Sequence, residues 1–164
     1  MSNLSQRIQQ LSESATIAMS RRSRELKEEG HDVISLSLGE PDFTVPDFIK
    51  EAAIQAIRDD YSHYPPIPGD ADLREAISAK VQRDNKLQYT PDQIVVSTGA
   101  KQSIANVVLC TIDPGDEVLL PAPYWVTYSE IVKLAGGKPV VIETAIDNDF
   151  KVTQDQLEQH CSER

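Results

Sequence analysis

The stretch with the most chemical content runs from Ile94 to Ser103 and reads Ile-Val-Val-Ser-Thr-Gly-Ala-Lys-Gln-Ser. A β-branched apolar run leads into Gly99 and then into residues that favour a helix. The first N–H groups of a helix have no backbone partner, and the helix dipole is positive at that end. Such an end can hold a phosphate, and a glycine lets the ligand approach the backbone. The spacing is not that of a GxxxxGK phosphate loop. The same residues also read as an ordinary strand–glycine–helix turn capped by Ser97 or Thr98, and in isolation this plainer reading is favoured.

Three other stretches could contribute to a site. Pro121 to Tyr128, Pro-Ala-Pro-Tyr-Trp-Val-Thr-Tyr, follows an apolar run and holds the only tryptophan, Trp125. Ligands of open α/β sheets bind beyond the carboxyl ends of strands, where an indole can stack on a planar ring. Alone, Trp125 reads better as a half-buried seal between helix and sheet. Leu36 to Phe43 ends a short strand pattern in a loop whose Gly39 can offer backbone groups to a small ligand. Tyr61 to Gly69 carries two tyrosine hydroxyls on a loop stiffened by prolines, and is equally compatible with a plain surface loop.

The elements expected to carry these stretches alternate between strand and helix. Residues 3–29 show helical spacing (Leu4, Ile8, Leu11), stopped by Gly30. Residues 32–36 read as a strand. Pro46 opens a helix whose apolar face is Phe48, Ile49, Ala52, Ala53, Ala56 and Ile57. Residues 72–84 form a second helix on Leu73, Ile77 and Val81. Residues 94–97 are a strand, followed by a helix that buries Ile104, Val107, Val108 and Ile112. After the Asp113-Pro114-Gly115-Asp116 turn come a strand at 117–120, a helix at 124–135 ended by Gly136 and Gly137, a strand at 139–143, and a last helix at 153–160. This predicts an α/β fold: an incomplete parallel or mixed sheet flanked by helices.

Composition narrows the function. The chain has 164 residues, 16 Lys and Arg against 26 Asp and Glu, and a net charge of −10. An acidic chain gains no counterion-release drive toward nucleic acid, and there is no polybasic membrane patch. A basic pocket for a small anion remains compatible with that net charge. The two cysteines, Cys110 and Cys161, form no CxxC motif and read as thiols. The histidines at 31, 63 and 160 have no metal-ligand spacing, so no metal is expected. Without an apolar h-region near the N-terminus or an apolar run of spanning length, the cytoplasm is the expected location. At this length the chain is expected to bury a substantial core.

Taken in order, these motifs resemble the N-terminal part of class I aminotransferases, the fold-type I pyridoxal-phosphate enzymes, and most closely their bacterial-type aspartate aminotransferase branch. The resemblance rests on Ser14-Ala15-Thr16, Leu38 to Phe43, Tyr64 with the proline-rich loop to Gly69, and Leu73-Arg74-Glu75-Ala76. It continues through Gly99 to Gln102, Asp113 to Val118, Pro123-Tyr124-Trp125 and Gly136-Gly137. It implies that residues 1–45 are an N-terminal arm and part of the small domain, and residues 46–164 the first part of the cofactor-binding large domain. Gly99, Ala100 and Lys101 match the turn under the cofactor phosphate, Trp125 the aromatic stacked on the pyridine ring, and Gly39 the glycine that meets the substrate α-carboxylate. Tyr64 matches a tyrosine that reaches the cofactor phosphate of a neighbouring subunit, which implies a homodimer. Thr16 and Lys101 match positions near the distal carboxylate of dicarboxylic substrates; Lys101 alternatively serves the phosphate.

The family's Schiff-base lysine, the aspartate facing the pyridine nitrogen and the arginine that grips the α-carboxylate match no position of this chain, so it holds no catalytic residue and by itself is expected to be inactive. The implied function is the N-terminal portion of an enzyme moving the amino group of aspartate, or a similar acidic amino acid, to a 2-oxo acid. A non-catalytic pyridoxal-phosphate or phosphate-binding remnant and a fold-type I carbon–sulfur lyase are the alternatives. The native protein is expected to weigh more than twice the 18.2 kDa of this sequence; intact-mass spectrometry of the protein from its source checks this, and a mass of 18.2 kDa would leave the remnant.

Overall fold

Two parallel strands organise the first of two structural units. In the computed structural model, which describes residues 3–163, β1 (Glu117–Ala122) and β2 (Lys138–Glu143) pair in parallel from Glu117↔Lys138 to Ala122↔Glu143. Val118, Leu119 and Leu120 face Pro139, Val140 and Val141 across the ladder, a composition suited to a half-buried pleated surface. The Ala122–Pro123 peptide is cis. The chain returns from β1 to β2 through α6 (Thr127–Ala135), which packs on both strands. Leu120, Ile131, Val132 and Ile142 meet there and are the buried hydrophobic residues among those described.

The return is set by a glycine pair. Gly136 has φ +91°, and α6 closes with bonds from Gly136 N–H to Lys133 O and Gly137 N–H to Val132 O, both 3.0 Å. This is a Schellman termination, and its left-handed residue favours glycine. A Cβ on Gly137 would lie 2.7 Å from Ile112 Cγ2. That contact seats the turn after α5 (Ala100–Thr111) against the end of α6, and the two helices pack together. Lys138 N–H then donates to Asp116 O at 2.8 Å and starts the ladder. Beyond β2, α7 (Gln154–His160) is held by a Thr153–Gln156 capping box, and Gln156 Nε2 donates to Glu143 O at 2.8 Å.

The N-terminal segment joins this unit, which comprises Met1–Leu38 and Gly99–Arg164. Its expected single helix is two, α1 (Gln6–Gln9) and α2 (Ala15–Glu28), because Ser12 N–H leaves the helical pattern to bond the Glu130 carboxylate at 2.9 Å. Gly30 ends α2 as expected, with φ +90° and a bond from His31 N–H to Leu26 O. The helix expected from Tyr124 begins at Thr127. Val107 is exposed rather than part of the inner face of α5.

The second unit, Gly39–Thr98, holds α3 (Asp47–Arg58) and α4 (Ala71–Asn85) around the loop of residues 61–69. α3 has the expected apolar stripe, but Phe48, Ile49 and Ile57 face solvent. A single 3₁₀ turn, Pro91–Gln93, packs beside α4.

Two expected strands do not form. Residues 32–36 and 94–97 run without regular structure, and Ile34 and Leu36 are 86% and 92% exposed. Apolar alternation predisposes a segment to pairing, but a strand exists only with a ladder partner, and among the described residues β1 and β2 pair with each other alone. Val96 N–H instead donates to Pro68 O at 2.9 Å. The expectation of a substantial buried core is likewise corrected. The chain exposes 13459 Å², against about 8,100 Å² for a typical folded monomer of its mass. The α/β reading itself holds, as a two-stranded parallel sheet with helices against it. Among the described residues no helix is long and apolar enough to cross a membrane.

Ile142 is fully buried at the centre of the strand–helix contact. Ile142→Ala is expected to cost about 3 kcal/mol and Ile142→Val about 1 kcal/mol, read as shifts in the urea midpoint.

Candidate functional site

Gly99 is the N-terminal cap of α5, with φ +87° and ψ 163°. Only glycine adopts that conformation without strain, and an added Cβ would meet nothing within 4 Å. The space on the Cβ side of Gly99 is therefore open. Gln102 N–H turns back to Gly99 O at 3.1 Å, whereas the N–H groups of Ala100 and Lys101 have no intrahelical carbonyl to bond. They present two donors at the positive end of the dipole.

Lys101 brings the second sequence motif to this point. Its Nζ lies 5.1 Å from the centroid of the Trp125 ring, a cation–π contact between the first turn of α5 and the segment that follows β1. Such a contact contributes about 0.5–1 kcal/mol at an exposed site. Trp125 is 45% exposed, so part of the indole is available to a ligand. Two backbone donors, an ammonium and a flat ring form one cluster, although Gly99 and Trp125 lie far apart in sequence.

Beside it, Ser12 to Ala15 and Tyr124, Val126, Thr127, Ser129 and Glu130 line a cavity of about 440 Å³. Thr16 follows this lining directly, on the first turn of α2. The N-terminal segment is fastened by Glu130, which accepts from Ser12 N–H at 2.9 Å and from Lys133 Nζ at 2.8 Å. Burial is the largest single influence on this carboxyl and pushes its pKa up. The Lys133 hydrogen bond, the Ser12 amide and the Lys133 charge together outweigh it and hold Glu130 below its usual 4.5. The sequence reading missed Glu130; Ser12 is 118 residues away, and only the Glu130/Lys133 spacing was visible.

Gly99, Ala100, Lys101, Trp125 and Thr16 thus belong to the first unit, and Gly39 and Tyr64 to the second. Gly39 lies in an exposed loop where an added Cβ would meet nothing within 4 Å. Tyr64 stands on the proline-rich loop with its side chain fully in solvent.

A family model described as aminotransferase class I and II matches residues 31–164. The chain belongs to that family. It is 50% identical over 161 residues to the aspartate/prephenate aminotransferase of Nitrosomonas europaea, covering 98% of this chain and 41% of that protein. It is 43% identical over 161 residues to the aspartate aminotransferase of Bacillus subtilis, with coverage of 98% and 41%. Among solved structures, the aspartate aminotransferase of Rhizobium meliloti matches with a TM-score of 0.95 and 40% identity, over 100% of this chain and 41% of that one. The Thermus thermophilus aspartate aminotransferase with maleate matches at 0.93 and 39%, over 99% and 42%. The chain therefore spans about two-fifths of the length of these aminotransferases. The resemblance read from the ordered motifs is borne out, as is the expectation of the first part of a fold-type I large domain.

Because the Glu130 pKa is lowered on folding, the Ser12–Glu130 fastening contributes stability above about pH 4.5 and loses it as pH falls through the lowered value. Protection of the amides of residues 5–12 against exchange, relative to their intrinsic rates, is expected to fall over that acid range, and Glu130→Gln is expected to lower it already at neutral pH.

Proposed function

We propose that this chain supplies the phosphate cradle and ring platform of a pyridoxal 5'-phosphate-dependent aminotransferase. Its amino donor is aspartate or a similar acidic amino acid, and its acceptor is a 2-oxo acid. The observation that carries the reading is the meeting of the open α5 N-terminus with Lys101 and Trp125. The donor set fits the cofactor: anion-binding amides for a phosphate, and an indole for an aromatic ring. When bound, pyridoxal phosphate supplies an electron sink for the bond changes at the substrate Cα.

The chain's own residues bind and orient. The Gly99 turn, with the Ala100 and Lys101 amides, holds the phosphate, and Trp125 fixes the ring plane. The Gly39 backbone meets the α-carboxylate. Thr16 and Lys101 select a second, distal carboxylate. Maleate, the compound named with the Thermus thermophilus relative, is a dicarboxylate and agrees in kind. Tyr64 reaches the phosphate of a second copy of the protein, so the working enzyme is a homodimer, located in the cytoplasm. Residues 1–45 form the arm and part of the small domain, and residues 46–164 the first part of the large domain. Lys101 lies at the phosphate end, where its amine does not reach the substrate Cα, so these 164 residues alone do not transaminate.

In the complete protein, Gly99→Ala is expected to weaken pyridoxal phosphate at least about tenfold, because it forces a side chain into a positive-φ conformation. Lys101→Ala is expected to erase the preference for L-aspartate over a neutral amino acid in a half-reaction assay. Unchanged cofactor affinity in Gly99→Ala would overturn the cradle, and unchanged selectivity in Lys101→Ala would remove the dicarboxylate assignment.

A further inference from the structure

We propose that Arg74 is a positioning residue: it locks the stem of the loop of residues 61–69 and so holds the backbone that carries Tyr64 where the tyrosine meets its ligand. This rests on the reading of Tyr64 as a phosphate contact. All the groups involved belong to the second unit.

Arg74 lies on the first turn of α4, and its side chain is only 16% exposed. Its Nε donates to Gly69 O at 3.2 Å and its Nη1 to Pro91 O at 3.0 Å. Asp92 is the nearest carboxylate, but it lies 3.6 Å away and is 96% exposed. That distance is beyond a good hydrogen bond, and an exposed ion pair contributes little. The guanidinium therefore works chiefly as a fork across two backbone carbonyls, one on the loop and one on the 3₁₀ turn. Its planar geometry fixes their separation, which a lysine cannot do.

The loop is built to transmit that restraint. Gly69 has φ +99°, and a Cβ there would lie 2.6 Å from Val96 Cγ2. Gly69 N–H donates to Pro66 O at 2.8 Å, and Val96 N–H to Pro68 O at 2.9 Å. Pro65, Pro66 and Pro68 fix φ at three positions between this stem and Tyr64. At the other end, Asp60 has φ +57°, and Tyr61 N–H closes α3 onto Ala56 O at 3.0 Å. Tyr64 is thus a solvent-facing side chain on a restrained backbone. The backbone share of its ordering cost is met before any ligand arrives, which is how preorganisation raises affinity.

The test is hydrogen–deuterium exchange together with equilibrium pyridoxal-phosphate affinity in the complete protein, for wild type, Arg74→Ala, Tyr64→Phe and the double variant. Arg74→Ala is expected to speed exchange at least tenfold at residues 61–69 while α4 keeps its protection. It is also expected to weaken the cofactor about as much as Tyr64→Phe, with no further loss in the double variant. Unchanged exchange, or equal loss of protection in α4 and the loop, would overturn the inference and leave Arg74 a general stability group. Faster exchange confined to the loop, with cofactor affinity indifferent to Tyr64→Phe, would support the positioning and overturn the Tyr64 contact instead. If Arg74→Ala does not fold, Arg74→Lys keeps the charge without the fork and is read in the same two ways.

Discussion

A parallel pair of strands cannot be joined by a two-residue turn; the chain must leave the end of the first strand, travel back along the sheet and re-enter beside its beginning. Between β1 and β2 that return is α6, and its geometry leaves few choices. The helix must end sharply enough for Lys138 to start pairing at once, so Gly136 takes the left-handed conformation and Gly137 lies against Ile112. The same return holds α5 against α6, and it leaves the segment before α6, with Trp125, at the carboxyl end of β1. The contact between Lys101 and Trp125 is therefore a product of how a parallel pair must be connected.

The anionic ligand proposed for the site has to bind an acidic chain. A net charge of −10 opposes anion binding at long range, but screening confines exposed charges to about 8–10 Å at physiological ionic strength. Within that distance of Gly99 the helix terminus and the Lys101 ammonium supply positive potential, and the indole orders the ammonium through its ring face. Local geometry decides here, and composition speaks only to ligands that need a broad basic surface.

Features governed by local backbone chemistry were legible from residue types. Gly30, Gly99 and Gly136 all have positive φ where the sequence pattern placed a helix stop or start. α4 follows its apolar spacing, and β1 and β2 their short apolar runs. What escaped was non-local. Residues 94–97 have the composition of a strand, but Val96 found Pro68 rather than a ladder. The break at residues 10–14 depends on Glu130, far along the chain, and nothing near Ser12 announces it. Arg74 stood out only as part of an ordered motif; its carbonyl partners follow from how α4, the loop and the 3₁₀ turn fold together. Of the residues proposed for the site, those on or beside α5 and β1 share one cluster because consecutive elements of one unit bring them there.

Trp125 is the only tryptophan in the sequence, and it is half-exposed beneath a lysine ammonium. The indole emission of these residues therefore comes from one point, the ring face of the candidate site, with no background from elsewhere in the sequence. Its wavelength and intensity report whether that face is wet, covered by the ammonium or covered by another ring. The chain carries its own optical probe at the position where its chemistry is expected, and needs no label to be read.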